Sequence, residues 1–370
     1  MLIGIDGRPF YGPAAGTGRY VGELCRQLDG LLPHARFKVY GNRDMQLPIH
    51  SPRWEARGDS SALWSRLPPS AWYFARAGRL AQQDGVNLFW GSANFLPLGL
   101  GPHVPAVLTV YDMVHHLYPH TMSCRHRMAY SLFFRSGLRR ANRIIAISQG
   151  TADHLREHFG VSAHDIVKPQ VGENFHRPRL EEINAVRSRY GLPAHFLLSV
   201  STLEPRKNLG TLVHALVALA QSGRAPDLAL VLVGQRGWKN TPLLAQLAAA
   251  RQSGVAIIET GYVPNADLPS LYAAATCVVM PSLYEGFGMP ILEALHCGAT
   301  VLASDTPETR EAGGQAANYT APTERDLQAA IGQLWSQRSA VSPSACSHRI
   351  PPANWRHEAA KMATLFRQLS

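Results

Sequence analysis

No apolar stretch among the 370 residues approaches the roughly 20 needed to cross a bilayer. The opening MLIGIDGRPF carries no basic leader followed by a cleavable apolar segment. The chain is therefore expected to stay in the cytosol. Cysteine is scarce: Cys25, Cys124, Cys277, Cys297 and Cys346 are odd in number, scattered, and nowhere at C-x-x-C spacing. That excludes a disulfide framework or a zinc site as the expectation and leaves buried or idle thiols. Internal repeats are missing beyond one broad duplication. No dinucleotide fingerprint appears either, because G-P-A-A-G-T-G (12 to 18) has the wrong spacing for G-x-G-x-x-G and lacks a following ribose acid.

What is present is an ordinary globular composition, 46% hydrophobic and 17% charged, in a chain long enough for two domains. Its net charge of +10 is uneven. Up to residue 180 there are 21 Lys plus Arg against 12 Asp plus Glu, a net of +9; from 181 onward 15 against 14 give +1. The front half carries the field, which suits an acidic partner: nucleic acid, anionic lipid or a phosphorylated acceptor.

Short apolar strands alternate with helical patterns throughout, as in parallel sheets with crossover helices. Strands are expected at 2–6, 36–40, 87–91, 106–110 and 143–147, then at 196–201, 228–234, 255–261, 276–281 and 300–304. This predicts an α/β protein of two doubly wound sheets in tandem. Residues 169–182 read as a linker, and 42–70, rich in Pro, Arg, Ser and Trp, as an irregular surface segment. In 354–369, Trp355, Ala359, Met362, Leu365, Phe366 and Leu369 share one helix face.

Three loops could carry chemistry. FYGPAAGTGRYVGEL (10–24) places Gly12, Gly16 and Gly18 ahead of a helix, where backbone can approach an anion; it could equally be a plain turn. STLEPRKNLGTLVHAL (201–216) puts Arg206 and Lys207 before a helix starting near Asn208, either a diphosphate site or a solvated basic pair. SLYEGFGMPILEAL (282–295) follows a buried strand, with Pro290 at a first helical position and Gly298 just past the helix end. Glu293 is a capping or dipole residue, or the acceptor of two vicinal ribose hydroxyls. Glu285 can accept from a sugar, with the amides of Phe287 to Met289 turned to charged oxygens. Both latter loops leave carboxyl ends of strands in one sheet, where open α/β sheets bind ligands. Together they make a nucleotide diphosphate-sugar site.

These residues resemble the retaining glycosyltransferases of family 4, a GT-B group that includes bacterial lipopolysaccharide and O-antigen mannosyl- and rhamnosyltransferases. The likeness rests on the glycine-rich loop, ANRIIAISQGTADHLREHFGV (141–161), STLEPRKN, GYVPNADLPSLYAAA (261–275), the Glu285-x7-Glu293 spacing in EGFGMPILE, and ETREAGGQAANY (308–319). It implies a GT-B fold of two Rossmann-like domains facing a cleft. Residues 1–175 would bind acceptor and 185–350 donor, with the helix 353–370 crossing back onto the first domain. Lys207, with Arg206, would neutralise the donor diphosphate without a metal. Glu293 would hold the ribose, and Glu285 with Gly286, Phe287, Gly288 and Met289 the transferred sugar. Gly16, Thr17, Gly18 and Arg19 would border phosphates and acceptor, and Glu311 and Ala312 lie in a further donor turn. Where many relatives carry His-Asp, this chain has Tyr111 and Asp112; His115 or His116 are the alternatives for that role. Ser201 and Thr202 replace an arginine of some relatives, shifting phosphate charge to Arg206.

The implied reaction moves a hexose, with mannose or rhamnose from a GDP-sugar as the expectation and UDP-sugars open, to a growing, lipid-linked glycan. No cofactor or metal is expected. CRHRMAYSLFFRSGLRRANR (124–143) mixes Arg125, Arg127, Arg135, Arg139, Arg140 and Arg143 with Tyr130, Phe133 and Phe134. It is either an amphipathic basic face for an anionic inner membrane surface or a domain helix with a solvated basic side. The rivals are a nucleotide-sugar epimerase of the same fold and a basic nucleic-acid-binding protein.

Overall fold

The computed structural model describes residues 1–12, 16–59, 61–337 and 353–369. The chain forms two units: one comprises Met1–Met113, Arg125–Gln170 and Asn354–Ser370, the other Val114–Cys124 and Val171–Ala353.

Unit 1 holds a seven-stranded sheet in the order β3-β2-β1-β4-β5-β6-β7. The strands are β1 (Leu2–Asp6), β2 (Arg36–Tyr40), β3 (Trp54–Arg57), β4 (Leu88–Gly91), β5 (Ala106–Val110), β6 (Arg143–Ala146) and β7 (Asp165–Ile166). Unit 2 holds a six-stranded sheet in the order β10-β9-β8-β11-β12-β13. Its strands are β8 (Phe196–Val200), β9 (Ala229–Val233), β10 (Ile257–Gly261), β11 (Cys277–Met280), β12 (Val301–Ser304) and β13 (Asn318–Thr320). Every pairing is parallel. Parallel strands are covered on both faces, so β5 (AVLTV) and β9 (ALVLV) are buried at every position. In both sheets the order reverses beside the first strand, at β1/β4 and at β8/β11, and each reversal opens a crevice at the carboxyl ends of the strands.

The structure departs from the sequence expectation in four places. The stretch 42–70 contains β3, an edge strand paired to β2, in which Trp54 is buried and stacks on Phe37 with ring centroids 4.0 Å apart. One buried residue in a four-residue edge strand is too little signal to read, and the same shortness hides β7 and β13. The division of the chain is also not a single cut, because Val114–Cys124 packs with unit 2. There the Trp238 indole donates to the Thr121 carbonyl at 2.7 Å and Tyr118 stacks on Tyr284. The end of the expected linker is helical, since Leu180 opens the helix Leu180–Arg189.

The helix Trp355–Leu369 belongs to unit 1, where it packs its Trp355, Ala359, Met362 and Phe366 face inward. Glu358 fixes it by accepting the Lys168 amide and the Lys361 ammonium, both at 2.8 Å. In the basic segment, the helical turns Cys124–Ala129, Tyr130–Phe134 and Arg135–Arg140 follow one another, the middle one wound wider. Its aromatics turn inward: Phe134 is buried, Phe133 stacks on Phe74 at 3.9 Å, and the Tyr130 hydroxyl accepts from Asn94 at 2.6 Å. The exposed apolar residues are instead Met128 and Leu132, each 61% accessible, one turn apart among the exposed Arg125, Arg127, Arg135 and Arg139.

Candidate active site

In unit 2 the loops after β8 and β11 are tied to each other before any ligand is considered. The first folds as a short turn, Pro205–Lys207, whose end is set by Asn208 at φ +55°, a left-handed conformation that asparagine tolerates. The Asn208 side chain then donates to the Pro281 carbonyl at 3.1 Å and the Pro322 carbonyl at 2.9 Å. The Leu283 amide returns a bond to the Arg206 carbonyl at 2.9 Å.

This stapling brings four charged side chains into one network. Lys207 donates to Glu285 Oε1 at 2.6 Å, where Ser282 also donates at 2.6 Å. Arg206 donates to Glu285 Oε2 and to the Tyr284 carbonyl, both at 2.8 Å, and to Glu204 Oε1 at 2.7 Å. Glu204 and Glu285 are buried, Arg206 and Lys207 only slightly exposed. Two carboxylates and two cations balance, the condition for burying charge at tolerable cost. Burial alone would raise the Glu285 carboxyl, but the Lys207 ammonium and Arg206 guanidinium outweigh it and bring it down to about 2. Burial pulls the Lys207 ammonium below the ordinary lysine range, with the attraction of Glu285 opposing. At neutral pH Glu285 is therefore a carboxylate.

Beyond Glu285, Gly288 adopts φ +112°, where a side chain would be strained, and turns the chain into the helix Met289–His296. Pro290 is thus the second helical residue, and Gly298 closes the helix at φ +78°. Phe287 is buried, while Gly286 and Met289 are half-buried. Glu293, one turn into the helix, is only 1% exposed and accepts the Tyr272 hydroxyl at 2.9 Å. Glu311 is half-buried and Ala312 buried in the helix Pro307–Gly313.

In unit 1, Gly16, Thr17, Gly18 and Arg19 form the first turn of the helix Gly16–Leu31; Thr17 is exposed and Arg19 half-buried. Tyr111 and Asp112 follow β5. The Tyr111 ring is buried, its amide donates to Asn94 Oδ1 at 2.8 Å, and its hydroxyl donates to the Ser92 carbonyl at 2.7 Å, so that hydroxyl is engaged inside the unit. Asp112 is half-buried. His115 and His116 lie in unit 2; burial, then His116, pull the His115 ring down to about 4, which keeps it neutral.

The structure thus gathers Arg206, Lys207 and Glu285, and adds Glu204, Ser282 and Tyr272, which sequence reasoning missed. Glu204 lies two residues before Arg206 and Ser282 three before Glu285, spacings that become informative only once the loops are joined.

Two family models match: "Glycosyltransferase Family 4" over residues 14–167 and "Glycosyl transferases group 1" over 186–341. The O-antigen chain mannosyltransferase B of Escherichia coli is 35% identical over 344 residues, covering 88% of either chain. This chain is a family 4 glycosyltransferase. The serotype-specific mannosyltransferase WbdA of E. coli is 34% identical to it over 47% of its length, a match spanning 22% of WbdA. Among solved structures, WaaG, a glycosyltransferase involved in lipopolysaccharide biosynthesis, superposes with TM-score 0.76 at 17% identity over 99% of both chains. Anabaena HepE, in complex with UDP and glucose, gives TM-score 0.70 at 18% identity over 99% of both. These likenesses establish that the glycosyltransferase has the GT-B fold.

Proposed function

We propose that this glycosyltransferase moves mannose or rhamnose from a GDP-sugar to a growing, lipid-linked polysaccharide of the lipopolysaccharide O-antigen, with retention of anomeric configuration. The observation that carries the reading is the Lys207–Glu285 pair, held by Arg206 where the loops after β8 and β11 meet. A diphosphate offers Lys207 a more highly charged partner than one carboxylate. As Lys207 turns to it, Glu285 gains an oxygen for the hydroxyls of the sugar. Arg206, fastened to Glu204, Glu285 and the Tyr284 carbonyl, keeps that carboxylate in place. Glu293 takes the ribose, and the amides of Gly286 to Met289 face charged oxygens. Thr17, Arg19 and Asp112 serve the acceptor side, with Tyr111 bracing their surroundings from within.

Charge grows on the leaving diphosphate as the glycosidic bond breaks, and Lys207 compensates it at that moment. No divalent metal takes part in this reading. The mannosyltransferase named above supports the choice of sugar and pathway.

The test is a thermal-shift panel of GDP- and UDP-sugars, followed by product analysis with a lipid-linked acceptor. A ligand bound only by the native state stabilises it by about 2.7 kcal/mol at a hundred times its dissociation constant. GDP-mannose or GDP-rhamnose should raise the midpoint in the wild type and not in Lys207→Met. Absence of any shift across the panel refutes the reading, and an epimerised sugar formed without acceptor replaces it with the epimerase.

A further inference from the structure

Glu293 is 1% exposed, a place where a carboxylate is costly unless hydrogen-bond donors meet it. One donor is the Tyr272 hydroxyl, 2.9 Å from Oε2. Tyr272 has no accessible surface of its own and sits in the helix Leu268–Ala274, its ring against that of Phe175. That helix is anchored at its start: Arg189 Nη1 donates to both Asp267 carboxylate oxygens at 2.8 Å, and the Tyr190 hydroxyl donates to Oδ2 at 2.7 Å. Arg189 ends the helix Leu180–Arg189 and Tyr190 caps it, so two helices are locked together by one buried carboxylate. One turn further along the chain, the Cys297 thiol is pushed up by burial and then by the Glu293 carboxylate, so it stays protonated.

We propose that Tyr272 is a positioning residue for the ribose of the donor: its hydroxyl holds Oε2 of Glu293 so that Oε1 is presented to the two vicinal ribose hydroxyls, and Asp267 holds Tyr272 in turn. A glutamate side chain has three rotatable bonds, and fixing one oxygen removes most of the orientational freedom that ribose binding must otherwise restrict. The inference rests on the assignment of Glu293 to the ribose.

The experiment measures, by calorimetry, the affinity of the full chain for GDP or UDP, whichever the wild type binds more tightly, and for its 2′,3′-dideoxy analogue. Tyr272→Phe keeps the ring and removes only the hydroxyl. It should weaken the ribonucleotide by roughly tenfold, the scale of one hydrogen bond to a charged group. Binding of the dideoxy analogue should be unchanged, and a general loss of packing could not produce that selective effect. Asp267→Asn, which keeps the side-chain shape, should reduce the ribose preference by a smaller factor and carries the test should Tyr272→Phe fail to fold. Full ribose preference in Tyr272→Phe, with the preference lost in Glu293→Gln, overturns the proposal and leaves the ribose assignment standing. Full preference in Glu293→Gln removes the ribose assignment itself, and the proposal with it.

Discussion

Replacing Glu285 by Gln should expose the energetics of the loop after β11 as a function of pH. The native carboxyl sits at about 2 against an ordinary 4.5. That gap of roughly 2.5 corresponds to about 3 kcal/mol of stability at about 1.4 kcal/mol per tenfold in proton affinity. Because the folded value is depressed, this stability is fully present above pH 4.5 and is lost as pH falls through 2. Glu285→Gln removes it at every pH, so the difference between wild type and variant should be about 3 kcal/mol at pH 7 and about 2 kcal/mol at pH 3.5. Urea unfolding by circular dichroism measures the difference. Hydrogen exchange over residues 277–298 assigns it to unit 2, since two units need not unfold together. A penalty identical at pH 7 and pH 3.5 would refute the reasoning, because it would mean that Glu285 is not held ionised by its two cations.

Glu358→Ala leaves the Lys168 amide without its carboxylate inside unit 1, at a cost of about 2 kcal/mol, and should speed hydrogen exchange across Trp355–Leu369; unchanged protection there would show that apolar packing alone docks the last helix. The exposed Met128 and Leu132, set among arginines, should carry the chain to anionic vesicles at low salt, with flotation lost at high salt and in Met128→Glu; no flotation at low salt sinks the membrane reading.

The long buried strands were legible because parallel strands are apolar without interruption, and β1, β2 and β5 occupy the residues expected of them. The short outer strands β3, β7 and β13 were not. Trp54 holds β3 through a stack on Phe37, a contact between residues 17 apart that no local pattern announces. The loops after β8 and β11 divide the same way. Their glycines, Pro290 and Asn208 are local necessities of tight turns. The engagement of Arg206 with Glu204, Glu285 and the Tyr284 carbonyl is not, because it depends on where two separate loops meet.

The amino-acid sequence by itself determined that the chain is a tandem of parallel α/β sheets and singled out PRKN and EGFGMPILE as the loops that leave strand ends in one sheet, since periodicity, turn residues and motif spacing are properties of neighbours along the chain. Only the tertiary structure decided which charge faces which. It tied Arg206 to Glu285, spent the Tyr111 hydroxyl on Ser92, and set Tyr272 against Glu293. Partners of buried polar groups are chosen by proximity after folding, where each unsatisfied donor or acceptor is costly, and proximity is what a linear sequence does not contain.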